Sequence, residues 1–136
     1  MERAIRNHVI PVLRSKGFTG SFPHLRRATP TRIELLTFQF RLSGGSFVVE
    51  IATCEAEGIT NAWRHVPPNK VTAHDVMPRH RLGSNAATSD YWFVFGKSNY
   101  EAGFQIVEPE QHYVRVAEKV LATFSSEAAA YWDGGT

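Results

Sequence analysis

The chain has 136 residues, with fifteen Lys and Arg against thirteen Asp and Glu, and 43% hydrophobic against 21% charged residues. That is one domain of chain, the usual size being ~100–200 residues, and the composition excludes a disordered tail, a collagen-like repeat and a charge-block protein. The net charge is only +2 and the basic residues are scattered, which argues against a nucleic-acid binder, since those carry a basic stripe.

Residues 2–16 read as a helix, with Ile5, Val9, Val12 and Leu13 at helical spacing and the basic residues largely off that stripe. Pro11 is the exception, because it removes a backbone donor and tends to kink a helix. Gly17 sits where a C-cap belongs. Residues 18–28 form a weaker extended segment interrupted by Pro23, and His24, Arg26 and Arg27 read as charges guarding an edge strand. Residues 32–42 and 46–55 predict an antiparallel hairpin. Leu36, Phe38, Phe40 and Leu42 alternate with polar residues, Phe47, Val49 and Ile51 alternate on the return, and Ser43-Gly44-Gly45-Ser46 makes the turn. Ile33 and Leu35 are out of phase with the first set, which predicts a bulge near Leu35.

Residues 56–90 carry little periodicity and read as a long excursion with one helical turn at most; such loops are often functional. Residues 91–95, among the longest apolar runs, predict a central strand covered on both faces. A turn at Gly96-Lys97-Ser98-Asn99 and a return strand over 102–107 follow. Pro109 then opens a helix of about six turns whose stripe is Val114, Ala117, Leu121, Phe124, Ala128 and Tyr131, closed by Asp133-Gly134-Gly135. The order predicts a single α+β domain over 1–136. It has an antiparallel sheet of about five strands, the N-terminal and C-terminal helices packed on one face, and a long loop between strands.

Three stretches together resemble a known family. They are Ile10-Pro11-Val12-Leu13-Arg14-Ser15-Lys16-Gly17-Phe18, the hairpin Leu36-Thr37-Phe38-Gln39-Phe40 with Ser46-Phe47-Val48-Val49-Glu50-Ile51, and Arg81-Leu82-Gly83 followed by Tyr91-Trp92-Phe93. The pattern resembles the family of bacterial domains of unknown function numbered forty-three zero-four, over roughly residues 3–132. The resemblance implies an α+β domain with Pro11 as a family feature. It implies no activity and no catalytic residue.

The chemistry-bearing motifs are few. Gly96-Lys97-Ser98 resembles the end of a phosphate-binding loop, but that motif needs a glycine where Tyr91 stands. No GxGxxG, GxSxG or HExxH occurs. His74, Asp75 and His80 lie close in sequence without a standard metal spacing, so they read as solvated loop residues and no metal or other cofactor is called for. The single Cys54 excludes an internal disulfide or CxxC site and reads as a small buried hydrophobe. No apolar run approaches the ~18–20 residues of a membrane span. The first residues lack the apolar core of a secretory signal. A cytosolic protein fits both, and one free cysteine fits it too.

Arg79-His80-Arg81, beside Ser84, Asn85 and Asp90, is the most polar cluster; two guanidiniums can hold a carboxylate or phosphate. The plainer reading has a partly buried Arg81 tying the loop to the sheet through Asp90 or a backbone carbonyl. Trp63, Tyr91, Trp92 and Tyr100 frame the same region, and aromatics with arginines mark binding hot spots. If one face of the Trp92–Phe93 strand meets the helices, the other needs a cover: the 56–90 loop, a second subunit or a ligand. The first functional reading is therefore an interaction or accessory module that binds a protein partner, or a second copy, across the sheet face near Trp92 and the 56–90 loop. An immunity protein of a toxin system is one concrete form. The second reading is a small-molecule or anion-binding domain, or an enzyme, with a pocket near Arg81 and Trp92. The candidate residues for either are Trp63, Arg79, His80, Arg81 and Trp92.

Overall fold

The computed structural model describes residues 1–85, 90–97 and 108–134. The expected Ser98–Asn99 turn, Tyr100, the strand over 102–107 and Gly135 lie outside them.

Residues 2–15 wind as one helix, α1, which is α-helical over Glu2–Ala4, π-helical over Ile5–Val9 and α-helical again over Ile10–Ser15. Pro11 explains the wide middle. A proline in a regular helix interior clashes with the carbonyl four residues back. Here the Ile10 N–H bonds the carbonyl five back, at Ile5, and Pro11 opens the renewed α-turn. Widened segments of this kind insert one residue and re-aim a helix without ending it. Gly17 closes α1 at φ +96°, with Gly17 N–H on Arg14 O and Phe18 N–H on Leu13 O.

Among the described residues the sheet is antiparallel throughout and six-stranded: β1 (Thr19–Ser21), β2 (His24–Ala28), β3 (Arg32–Phe40), β4 (Ser46–Glu55), β7 (His80–Arg81) and β8 (Phe93–Val94). The order runs β1-β2-β3-β4, and β7 and β8 share the outer edge of β4, at Glu50–Ile51 and Ser46–Phe47 respectively. β5 (Ile59–Thr60) and β6 (His65–Val66) form a separate hairpin. Gly44 and Gly45, at φ +84° and +85°, make the turn between β3 and β4.

Three expectations are corrected. β3 pairs β4 without interruption from Arg32↔Glu55 to Phe40↔Phe47, so no bulge occurs at Leu35. β2 lies between β1 and β3, so His24, Arg26 and Arg27 guard no edge. Residues 91–95 are not a central strand. Only Phe93 and Val94 pair, at an edge, and Val94 is 63% exposed.

Both faces of β3 are buried, which explains its two apolar phases. On one face Leu25, Leu36, Phe38, Phe47, Val49, Ile51 and Phe93 pack against α1 and the C-terminal helix α2 (Glu110–Gly134). The helix buries Ala117, Val120, Phe124, Ala128 and Trp132. Val114, Leu121 and Tyr131 of the expected stripe are only half-buried, so the contact line is rotated by about one residue. The C-terminal end of α2 is tied down by Arg32, whose Nη1 donates to Trp132 O at 2.6 Å and whose Nη2 donates to Asp133 at 2.7 Å. A cation there satisfies helix-end carbonyls and the helix dipole together.

On the second face Ile33, Leu35 and Ala52 meet Val66, Val71 and Ala73 in a smaller core. Residues 59–76 are thus the cover that this face required. Arg26 pins the cover by donating from Nε to Val71 O at 3.1 Å. The short 3-10 turn Ala73–Asp75 is closed by a capping box between Thr72 and Asp75. Burial alone would raise the Asp75 carboxyl, but the Thr72 N–H and Arg64 hold it below its usual range.

Candidate functional site

Strand alternation and the pairing register place His24 (β2), Thr37 and Gln39 (β3), Val48 and Glu50 (β4), Arg81 (β7) and Val94 (β8) on the second face. The small core closes one end of this face, and the rest is polar. Glu50 is its centre, only 6% exposed. Arg81 Nε lies 3.6 Å and Arg79 Nε 3.8 Å from its Oε2, and His74 Nε2 lies 3.9 Å from its Oε1. These are ion-pair distances beyond hydrogen-bond range. Glu50 therefore holds two guanidiniums side by side without engaging their terminal nitrogens. His24 sits next to this group, with Nδ1 2.9 Å from Thr37 Oγ1 and its ring 5.4 Å edge-on to His74. Burial, then the neighbouring His74 and Arg26, push the His24 imidazole below its ordinary value of 6.5, against a smaller opposing pull from Asp75.

Towards the β3–β4 turn the face changes character. Arg81 Nη1 pairs with Asp90, and Trp92 Nε1 donates to the same carboxylate at 3.2 Å. Desolvation acts to raise the Asp90 carboxyl, but Trp92 and Arg81 hold it below its usual range. The Arg81 and Arg41 guanidiniums both lie over the Trp92 ring, 5.4 and 5.7 Å from its centroid. Arg41 N–H bonds Ser46 O, and Ser46 pairs with Val94, so Arg41, Leu42, Trp92 and Val94 gather at one end. Leu42 is fully exposed there and Val94 is 63% exposed.

Of the five residues singled out in the sequence, this arrangement brings together Arg79, Arg81 and Trp92. His80 alternates with Arg81 on β7 and points to the helix side. There its Nε2 is 3.0 Å from Glu127 Oε1 and its ring stacks on Tyr131. Glu127 also accepts the Gly83 N–H at 2.9 Å, so His80 belongs to the joint between β7 and α2. Trp63 is 91% exposed at the tip of the β5–β6 hairpin, where Asn61 Oδ1 accepts its backbone N–H. It is not among the side chains around Glu50.

Glu50, His24, His74 and Arg41 complete the group and were missed as candidates. A signal existed for Glu50: it interrupts Phe47-Val48-Val49-Glu50-Ile51-Ala52, a run apolar on both strand phases. A carboxylate buried in such a run needs partners. His24 and His74 are 50 positions apart, with no spacing to link them.

The described residues contain no group of three or more His, Cys, Asp or Glu able to hold a metal, and no helix among them is long and apolar enough to cross a membrane. Burial raises the Cys54 thiol above its ordinary value, which keeps it protonated and a poor nucleophile. Open grooves of about 260 Å³ (beside Met1, Arg3 and Tyr113) and 340 Å³ (beside Lys16, Arg27 and Phe124) lie on the helix side of the sheet. Neither is lined by the Glu50 group.

The family model of a domain of unknown function, DUF4304, matches residues 9–132. The chain belongs to that family. No curated protein and no solved structure matches it.

Proposed function

We propose that this DUF4304 domain is a protein-interaction module that docks its partner on the second sheet face, at the end carrying Arg41, Leu42, Arg81, Trp92 and Val94. The observation that carries this reading is the exposure of Leu42 and Val94, at 103% and 63%, beside two guanidiniums that lie over one indole. Arginine and tryptophan are the residues most enriched at interface hot spots, and exposed aliphatic side chains beside them supply the apolar area. The ion pairs to Glu50 and Asp90 hold the Arg81 side chain in place before binding, which reduces the ordering cost of association.

The test is affinity capture from native lysate with the wild-type chain and with Leu42→Asp as bait, after melting curves show equal folding. The expected result is a protein retained in stoichiometric amount by wild type and lost with Leu42→Asp. Equal retention by both baits, or retention of nothing by either, refutes the reading.

A further inference from the structure

We infer that the occupant of this face is an acidic segment of a protein partner, bound through its carboxylates to the row Arg79, Arg81 and Arg41; the inference rests on the interface reading above. Among the described residues, the end of the face around Glu50 and Trp92 carries three guanidiniums against two carboxylates. One of these, Glu50, is buried beneath them at 6% exposure and faces both Arg79 and Arg81 through their Nε atoms. Among the described residues Arg79 makes no hydrogen bond at all, and Arg41 pairs with no carboxylate, its guanidinium lying only over Trp92. The outward surface is therefore cationic with unused donors in fork geometry, which carboxylates satisfy bidentately. Charge complementarity of this kind selects acidic partners and speeds their encounter.

A nucleic acid fits less well. Trp92, the aromatic side chain beside the row, is already engaged by two guanidiniums and is no free platform for a base.

Fluorescence anisotropy with labelled octaglutamate against the full chain, at about 50 mM NaCl and pH 7, tests the inference with the ionic screening kept weak. Octaglutamate binds saturably and octaglutamine does not. Arg41→Gln, an exposed position that leaves the Glu50 group intact, weakens binding about fivefold, the worth of one partly exposed ion pair. Arg3→Gln on α1 leaves it unchanged. Absence of saturable binding, an unchanged Arg41→Gln, tighter binding of octathymidylate, or displacement by inorganic phosphate at matched charge each overturns it. If octaglutamate fails while a Leu42-dependent partner is still captured, the acidic occupant is wrong and the interface stands. If octaglutamate binds while no partner depends on Leu42, the reverse holds.

Discussion

Replacing Glu34 by Gln should remove a large part of this domain's stability. Glu34 is 3% exposed and accepts from Arg27 Nε at 2.7 Å on one oxygen, and from Arg32 Nε and Nη2 at 3.0 and 2.6 Å on the other. An amide keeps a single acceptor. If its oxygen serves Arg32, its NH2 faces the Arg27 Nε–H, so one charge-assisted hydrogen bond becomes a donor–donor contact. Losing such a bond while its donor stays largely buried costs about 2–4 kcal/mol. The side chains of Arg27 and Arg32 are 31% and 28% exposed and recover part of this by rehydration. The net loss is then about 2–3 kcal/mol. For a chain of 136 residues, unfolding entropy of about 2.1 cal/mol/K per residue makes 1 kcal/mol worth about 3.5 °C. Thermal melts followed by circular dichroism at pH 7 should show Tm lower by about 7–10 °C. A drop below about 3 °C would mean that the carboxylate is not the anchor joining β2, β3 and the end of α2.

Two further outcomes follow from the second face. Leu35→Ala, at a fully buried position under the 59–76 cover, should cost about 2–4 kcal/mol in urea unfolding, with a smaller loss showing that this core collapses to fill the gap. His24 has a folded-state pKa below its unfolded value of 6.5, so the unfolded chain takes up its proton first as pH falls. Stability from the neutral imidazole is present above 6.5 and declines as pH drops through that value towards the folded-state pKa. Urea midpoints should therefore fall between about pH 7.5 and pH 5.5, and His24→Gln should flatten that slope; an equal slope in both proteins would show that another group titrates there.

What could be read from the residues depended on how long each pattern ran. β3 and β4 are nine and ten residues, long enough for alternation to show, and the C-terminal stripe runs through a helix of 25 residues. β7 and β8 are two residues each, too short for any period to register, so their places on the edge of β4 were hidden. The run 91–95 was misplaced for a related reason. An apolar stretch does not state where it packs: Phe93 is buried at the edge of β4, and Val94 beside it is 63% exposed.

Two features of the sequence have a different cause in the structure. Ile33 and Leu35, out of phase with Leu36 and Phe38, pointed to a second core rather than a bulge. A bulge shifts the phase once and buries one phase on each side of the shift, whereas here every residue from Ile33 to Phe38 is buried, Glu34 and Thr37 included, and the register with β4 runs unbroken. The arginine cluster was split by the same rule. In an extended segment neighbouring side chains point to opposite faces, so Arg79 and Arg81 reach Glu50 together only if His80 turns away. Its contact with Glu127 shows that it does. The contiguous triplet looked like one site because it is contiguous. Extended backbone makes the alternate pair, Arg79 and Arg81, the unit that meets one counter-charge, and that charge is Glu50, a lone glutamate in the apolar run of β4.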